Sequence, residues 1–308
     1  MERASATHLV LGGTGFLGRA VVSELVKAGR RVIVAGRAGP SIMLPGVSFA
    51  PIDFARQDWT PLLLQADVIH HYVWSNGLQA ANDAPVADLD ENLRGTVRLL
   101  EAIKGYPSKT LIFSSSGGTV YGQLRAAAAA EDHPLDPISA YGASKVAAEK
   151  YLGFYRAQYG VDARVARIAN PFGGCPRNRS RGMIPVFLQQ ALANQPLTVW
   201  GDGKIVRDYL HVSDVASALM LLADMPREGG GMPVLNIGSG QGRSQMQIVE
   251  AIGALLGRAP SVNYRPFRPF DVLTSVLDAE KAFRLLGWTP LLSFDQGLAR
   301  TLEELELL

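Results

Sequence analysis

A chain of 308 residues is too long for a minimal domain and fits one large domain or a lobed pair. Hydrophobic residues make up 47% and charged residues 19%, which is typical of a globular protein with a sizeable core. The net charge of +2 supplies no overall field that would attract nucleic acid or an anionic membrane, so neither is an expected partner.

The sequence also argues against disulfides, metal sites and membrane segments. Its one cysteine, Cys175, cannot form an internal disulfide, and no cluster of cysteine and histidine has the spacing of metal ligands. Residues 1–8 lack the apolar segment of a secretory signal, and no run of 18 apolar residues predicts a membrane span. We therefore expect a cytoplasmic protein without a metal site.

The first predicted elements alternate between strand and helix. Residues 8–11 form a short apolar strand, residues 16–29 have helical periodicity, and residues 31–35 form the next apolar strand. A strand–helix–strand order predicts a parallel sheet with right-handed crossover connections.

The same alternation continues as far as residue 169. Two long helices are predicted at about 86–105 and 139–159. Further strands are predicted at residues 47–52, 67–71, 109–114 and 161–169. This order predicts an α/β fold with a doubly wound parallel sheet.

The pattern of the sequence changes after Asn170-Pro171. The regular alternation of predicted strands and helices stops there, and prolines become frequent. Residues 171–308 mix predicted helices with short strands. We therefore predict a main sheet domain over residues 1–170 and a smaller C-terminal α/β lobe over residues 171–308. Residues 234–237 are predicted to return to the main sheet.

A glycine-rich turn connects the first predicted strand to the first helix, with glycines spaced three apart at positions 12, 15 and 18. Glycine permits a tight turn and lets a pyrophosphate approach the backbone, and the helix N-terminus supplies N–H donors and positive potential. The flanking strand and helix are the context that a dinucleotide-binding motif needs. The predicted cofactor contacts are Gly12, Thr14, Gly15, Phe16, Leu17 and Gly18.

The end of the second strand usually distinguishes NAD from NADP. A carboxylate there accepts hydrogen bonds from the ribose 2′-hydroxyl of NAD, whereas an arginine pairs with the 2′-phosphate of NADP. This chain has no acid at that point, and Gly36 followed by Arg37 leaves space and a cation. Arg37 therefore favours NADP(H); the alternative is a solvated Arg37, with NAD held by other groups.

Tyr141 and Lys145 lie four residues apart, on one face at the start of the second long helix. A phenol with a pKa of about 10 is a poor base at neutral pH unless its anion is stabilised. A nearby ammonium lowers that pKa, as does the positive nicotinamide ring of an oxidised cofactor. Tyr141 is therefore predicted to exchange a proton with a substrate hydroxyl while hydride moves to or from the cofactor.

Further motifs extend over nearly the whole chain. They occupy residues 12–18, 53, 91–96, 114–122, 141–145, 170–173, 201–203, 207–212, 236–240 and 268–272. Together they resemble the extended short-chain dehydrogenases/reductases, which include nucleotide-sugar epimerases, dehydratases and ketoreductases. The resemblance implies a Rossmann sheet in an NAD(P)-binding domain at residues 1–170 and a substrate-binding lobe at residues 171–308.

The resemblance implies roles for three residues on the cofactor side. Asp53 would contact the adenine, while Asn92 and Lys145 would face the nicotinamide. It also implies a homodimer formed through the helices at 86–105 and 139–159.

On the substrate side, the resemblance implies that a nucleotide-diphosphate sugar, UDP- or dTDP-linked, is bound. Asn170, Arg207 and Arg268 would hold its diphosphate, Asp271 would bind a ribose hydroxyl, and Trp200 would line the base. Two arginines suit a diphosphate because their guanidinium groups make fork-shaped, charge-assisted hydrogen bonds.

Residues 114–122 discriminate among the reactions of the similar enzymes. Dehydratases of the family carry an Asp-Glu pair here, whose acid–base role Gly117 and Gly118 cannot perform. Epimerases usually carry Ser or Thr four residues before the tyrosine that corresponds to Tyr121, where this chain has Gly117. Ser116 is the favoured replacement for bonding the C4 oxygen of the sugar, with Thr119 next. The alternative is that these serines only satisfy backbone groups at the strand end.

A second departure from the family lies at residues 69–75, where small residues often follow the first histidine. His71 and Trp74 are interpreted either as residues that reshape the sugar pocket or as packing residues.

Two enzyme hypotheses follow, both acting at C4 of a nucleotide-linked sugar. A nucleotide-4-keto-sugar reductase consumes NADPH, and Arg37 favours this hypothesis. A 4-epimerase similar to UDP-glucose 4-epimerase oxidises C4, turns the keto sugar and returns the hydride, so it keeps its NAD. A non-catalytic NADP-binding sensor is a third hypothesis, which the presence of both Tyr141 and Lys145 disfavours.

Overall fold

The computed structural model describes residues 6–39, 44–174, 182–227, 229–268 and 270–306, and Cys175 lies outside these ranges. The strands are β1 Thr7–Leu11, β2 Arg31–Gly36, β3 Val47–Pro51, β4 Val68–His71, β5 Thr110–Ser116, β6 Asp162–Ile168, β7 Asn170–Phe172, β8 Leu197–Trp200, β9 Val206–His211, β10 Val234–Ile237, β11 Gly242–Ser244, β12 Val262–Arg265 and β13 Thr274–Ser275. The helices are α1 Phe16–Lys27, α2 Thr60–Leu63, α3 Leu78–Asp83, α4 Pro85–Asp88, α5 Arg94–Ile103, α6 Ala140–Tyr159, α7 Met183–Leu192, α8 Val212–Asp224, α9 Gln245–Leu256, α10 Glu280–Leu286 and α11 Phe294–Glu306.

A seven-stranded sheet has the strand order β10-β6-β5-β4-β1-β2-β3. Strand β1 is an interior strand and pairs in parallel with β2 and β4, so that Leu9 lies opposite Ile33 on one side and Ile69 on the other. Every residue of β1 and β6 is buried, as expected where helices cover both faces of a parallel sheet. The predicted doubly wound α/β fold is confirmed.

Contact clustering divides the chain into two compact units that interleave along the sequence. The first comprises residues 1–116, 139–167 and 216–235, and the second comprises residues 117–138, 168–215 and 236–308. The predicted boundary at residue 170 differs from this division. Strand β10 lies more than 60 residues after β6 in the chain, yet it pairs with β6 and completes the first sheet. The assignment of one part to cofactor and the other to substrate stays a prediction.

The core of the first unit lies between the sheet and the helices α5 and α6. Leu9 and Leu11 of β1 pack in one apolar cluster with Leu99 of α5 and Leu152 of α6. Val10, which points to the opposite face because strand side chains alternate, is also fully buried. Both faces of β1 are therefore covered. A ligand site is then expected at the carboxyl ends of the strands of this sheet.

The second unit has smaller sheets. Strand β9 is central in one of them and pairs with β7, β11 and β13, while β8 and β12 form a separate parallel pair. Its apolar core joins α7, α9 and α11, with Phe187, Ile252 and Leu298 among the buried residues.

The helix predicted at residues 86–105 contains a change of helical type. Residues Leu89–Leu93 form a π-helical turn between α4 and α5. Such turns insert one residue into a helix and often occur at functional sites. Here the turn contains Asn92, one of the predicted site residues.

Candidate active site

The glycine-rich turn fits a diphosphate. Gly12 has a left-handed backbone (φ +80°), and a Cβ on Gly18 would overlap with the carbonyl oxygen of Gly12. Only glycine at position 18 therefore lets α1 approach the turn this closely. Helix α1 begins after Gly15 without a side-chain cap, so its first N–H groups point to the position where a pyrophosphate would bind.

Arg37 and Asp53 are both exposed, just beyond the carboxyl ends of β2 and β3. Gly36 is buried, and a Cβ there would lie 3.3 Å from the hydroxyl oxygen of Thr14. Strands β2 and β3 are neighbours in the sheet, so the two predicted adenosine contacts lie at one edge of the first unit.

The start of helix α6 is fixed by two side chains. The Ser139 hydroxyl accepts a hydrogen bond from the Gly142 N–H (3.1 Å), which caps the helix. The Asn82 side chain accepts one from the Ala140 N–H (2.8 Å). Tyr141, in the first turn, is therefore held by both contacts.

Lys145 is buried, one helical turn after Tyr141. Its ammonium donates a hydrogen bond to the Ser114 carbonyl oxygen (2.8 Å) and lies 3.7 Å from the centroid of the Trp74 indole. Burial lowers the pKa of Lys145 to about 7, although the carboxylates of Asp88 and Glu149 raise it. This lysine therefore titrates near neutral pH.

The phenol of Tyr141 is predicted from the sequence to be acidified by Lys145, but its surroundings make it less acidic than a free phenol. Burial raises its pKa, and the negative charge of Asp88 raises it further. The Lys145 ammonium, 5.7 Å from the centroid of the phenol ring, does not offset burial. A further positive charge, such as the nicotinamide ring of an oxidised cofactor, would lower this pKa.

Asn92 is fully buried and connects the π-helical turn to the loop after β4. The oxygen of its side-chain amide accepts a hydrogen bond from the Ser75 N–H (2.8 Å), and the nitrogen of the same amide donates to the Asp88 carboxylate (2.9 Å). The second carboxylate oxygen of Asp88 is buried and has no hydrogen-bond partner among the described residues. Asn92 thus holds the loop in place, and its contact with a nicotinamide stays a prediction.

His71, one of the two residues singled out at positions 69–75, is fully buried at the end of β4. Its Nε2 lies 2.9 Å from the Thr96 hydroxyl oxygen, whose own proton is donated to the backbone carbonyl oxygen of Asn92. Nε2 must therefore carry the histidine proton. Burial, and then the charge of Lys145, lower the pKa of His71 to about 3.

The serines at the end of β5 differ in their surroundings. Ser115 is buried and donates to Glu149, which is paired with Arg167 (2.7 Å). Ser116 is half-buried, is the last residue of β5, and belongs to the same unit as Tyr141. Ser115 therefore stabilises a buried ion pair, and the catalytic role of Ser116 stays a prediction.

Residues 117–138 belong to the second unit. Thr119 is half-buried, while Tyr121 is buried and donates a hydrogen bond to Asn236 (2.6 Å). A Cβ on Gly118 would lie 3.6 Å from the amide nitrogen of Asn170. Tyr121 therefore contributes to the fold of its unit.

The second unit gathers most of the predicted substrate residues around one carboxylate. Asp271 is buried and accepts two hydrogen bonds from the Arg268 guanidinium (2.8 and 2.9 Å). Arg207 approaches the same carboxylate at 3.9 Å. Two guanidinium groups sharing one carboxylate leave a net positive charge, which suits a diphosphate.

An aromatic ring completes this cluster. The Arg268 guanidinium lies 4.8 Å from the centroid of the Trp200 ring, whose backbone N–H donates to Gln245 (3.0 Å). The half-buried Asn170 donates to the Asp208 carbonyl oxygen (3.2 Å) on the neighbouring strand β9. Asn170, Trp200, Arg207, Arg268 and Asp271 all belong to the second unit.

Two features of the described ranges bear on other classes of site. Within them, no group of three histidine, cysteine or acidic residues is placed to hold a metal ion. None of the helices described has the length and apolarity that crossing a membrane requires.

The sequence reasoning missed Asp88 and did not identify what Trp74 contacts. Asp88 lies four residues before Asn92, which places both on one side of the helical turn, and this spacing is the signal that could have found it. For Trp74, the only signal was its size at a position where the family often has small residues.

A parallel sheet with a glycine-rich phosphate turn, and a tyrosine beside a buried lysine, define a dinucleotide-dependent oxidoreductase of the Rossmann type. The profile of the NAD dependent epimerase/dehydratase family matches residues 8–238. The chain belongs to this family, as its motifs predicted.

Similar proteins cover nearly the full length of the chain. It is 33% identical over 308 residues to the UDP-glucose 4-epimerase of Mycolicibacterium smegmatis, with 96% of this chain and 97% of that protein covered. The crystal structure of UDP-glucose 4-epimerase from Thermotoga maritima with UDP-glucose has a TM-score of 0.89 at 32% identity, covering 97% of this chain and 98% of that one. The Thermus thermophilus UDP-glucose 4-epimerase in complex with NAD has a TM-score of 0.87 at 31% identity, with the same coverage.

Proposed function

We propose that this protein is an NAD-dependent 4-epimerase of a UDP-linked sugar. The observation that carries the proposal is the buried Lys145 beside Tyr141 in a chain of this family. The relatives described above are UDP-glucose 4-epimerases, one with UDP-glucose and one with NAD. They favour the epimerase over the reductase that Arg37 favours.

A bound nicotinamide would supply the hydride-transfer chemistry, in which hydride leaves C4 of the sugar and is returned to the opposite face. Tyr141 would take the proton of the C4 hydroxyl and give it back after the keto sugar has turned. Lys145 would stabilise the phenolate by its charge, and Ser116 or Thr119 would bond the C4 oxygen. Gly12–Gly18 would bind the pyrophosphate of the cofactor, Asp53 its adenine, and Asn92 the nicotinamide side.

The second unit would bind the nucleotide diphosphate. Arg207 and Arg268 would pair with its phosphate oxygens, which compete with Asp271 for the same guanidinium donors. Asp271 would then be able to accept the ribose hydroxyl, Asn170 would donate to the diphosphate, and Trp200 would pack against the base.

The reductase remains a second candidate because of one observation. Arg37 is exposed at the end of β2, and the described residues include no ion-pair partner for it. It is therefore available to a 2′-phosphate of NADP. A dehydratase is disfavoured because Gly117 and Gly118 supply no acid or base.

Purified protein, given UDP-galactose and no added cofactor, should form UDP-glucose, and denaturation should release NAD. Both products are measured by chromatography against standards. If the protein instead forms no UDP-glucose, releases no NAD and oxidises NADPH only with a nucleotide-linked 4-keto-6-deoxy sugar, the reductase replaces the epimerase.

The proposed assembly is a homodimer through α5 and α6. Tyr151, Phe154 and Tyr159 of α6 are exposed by 43, 47 and 45%, which is unusual for large apolar side chains on one helix. Sedimentation of the wild type against a Phe154→Lys variant measures the assembly directly.

A further inference from the structure

Trp74 contacts both members of the catalytic pair. Its ring lies under the Lys145 ammonium, 3.7 Å from centroid to nitrogen. The Tyr141 ring packs against it edge to face, at 6.1 Å between centroids and 70° between planes. The next residue, Ser75, is bonded to Asn92 through its N–H, so the loop that carries the indole is held in place.

We propose that Trp74 is a positioning residue for the catalytic pair: its indole face holds the Lys145 ammonium in the charged form beside Tyr141. The inference rests on the proton-transfer roles proposed for Tyr141 and Lys145. It does not depend on which sugar is bound or in which direction hydride moves.

The physical reason is the desolvation of Lys145. A buried ammonium without a partner loses its proton readily, and the negative face of an indole attracts a cation most strongly where water is excluded. The neutral amine would not stabilise a phenolate. Trp74 therefore offsets part of the cost of burial and preserves the charge that Tyr141 needs.

Other groups face Lys145 but form no ion pair with it. Asp88 on α4 is bonded to Asn92, and Glu149 on α6 is paired with Arg167. His71 on β4 is neutral near pH 7, as described above. The Phe113 ring is further from the ammonium, at 4.8 Å. Among the described residues, the ammonium donates a hydrogen bond to the Ser114 carbonyl oxygen, and it lies nearer to the centroid of the Trp74 ring than to those of Phe113 and Tyr141.

The test is a titration of Tyr141 in the complex with NAD and without any sugar. The ultraviolet absorbance of the phenolate is followed against pH and corrected with a Tyr141→Phe variant. Trp74→Leu should move the midpoint to higher pH by roughly half to one unit, because a phenolate beside a neutral amine is less stable. Trp74→Phe, which keeps a weaker aromatic face, should restore part of the shift.

Fluorinated tryptophan tests the same idea without changing the shape of the core. Fluorine withdraws charge from the ring face, so the midpoint should rise in steps with the number of fluorine atoms. The chain has four tryptophans, and the same labelling of a Trp74→Phe variant is the control for the other three. Trp59→Phe, a buried tryptophan elsewhere in the first unit, should leave the midpoint unchanged.

A midpoint that is unchanged by fluorination, or that moves equally in the labelled Trp74→Phe protein, overturns the inference. Loss of thermal stability in Trp74→Leu without a change of midpoint means that the ring only packs, and overturns it too. Because no sugar is present, failure of the epimerase assay leaves this result intact. Normal epimerisation with an unchanged midpoint refutes the role of Trp74 alone.

Discussion

The two units hold their cations in opposite ways. In the first, Lys145 is buried against aromatic rings without a carboxylate partner, and burial lowers its pKa to about 7. In the second, Arg268 makes two hydrogen bonds to the buried Asp271, with Arg207 beside them. A compact ammonium beside a phenol suits stabilisation of a phenolate, whereas a permanent, fork-shaped guanidinium suits the binding of phosphate.

Burial alone does not produce the first arrangement. Arg164 in the same unit is also fully buried, but its guanidinium is paired with Asp162 (2.6 Å) and donates to the carbonyl oxygens of Leu222 (2.7 Å) and Met225 (2.6 Å) at the end of α8. Among the residues that the structure describes, Lys145 has no ion-pair partner, and this distinguishes it from a structural cation such as Arg164.

The largest effect is expected at Tyr141, and it tests whether the first unit performs the proton transfer. Tyr141→Phe should lower kcat for epimerisation by about 10²–10⁴-fold, because the phenol hydroxyl is lost, while KM changes little. Initial rates with UDP-galactose measure both constants. Tyr155→Phe on the same helix loses only a hydrogen bond to Glu101 and should retain wild-type kcat. Wild-type kcat in Tyr141→Phe would remove this tyrosine from the mechanism.

The second largest effect is expected at Arg268, and it tests whether the second unit binds the diphosphate. Arg268→Met should raise KM for the nucleotide sugar by about 10- to 100-fold and leave kcat nearly unchanged, since the proposed charge-assisted hydrogen bonds to the diphosphate are lost while Tyr141 and Lys145 are kept. Arg268→Lys keeps the charge without the fork and should recover only part of the affinity. A fall in kcat at constant KM would instead assign Arg268 to the chemistry.

The smallest effect sharpens the comparison within the first unit. Asp88→Asn removes the negative charge that raises the pKa of Tyr141 and keeps the acceptor for the Asn92 amide. The acid limb of kcat against pH, which reports ionisation of the tyrosine, should therefore move to lower pH. An unchanged limb would show that Asp88 does not act on Tyr141 through its charge, whereas a limb moved to higher pH would show that this charge acts mainly by keeping Lys145 protonated.

Local patterns were sufficient for much of the fold and for part of the site. The phosphate turn lies between consecutive elements, and Tyr141 and Lys145 lie one helical turn apart, so their spacing in the sequence is also their spacing in the structure. The strand Val234–Ile237 was recognisable from its apolar run, and it forms the edge of the seven-stranded sheet.

Contacts between distant residues were not predictable in this way. Trp74 and Lys145 are separated by 71 positions, and only the packing of β4, β5 and α6 brings them together. Asp271 and Arg207 were each assigned to a ligand, whereas the structure also places them beside one another. A residue that resembles a ligand contact can thus be engaged by the protein itself.

The position of β10 has a consequence for how the protein can be divided. A fragment that ends at residue 170 would leave β6, all of whose residues are buried, as an open strand edge. Such an edge pairs readily with other copies of the fragment and leads to aggregation. A soluble cofactor-binding fragment would therefore require residues 216–237 to be fused behind the first 170.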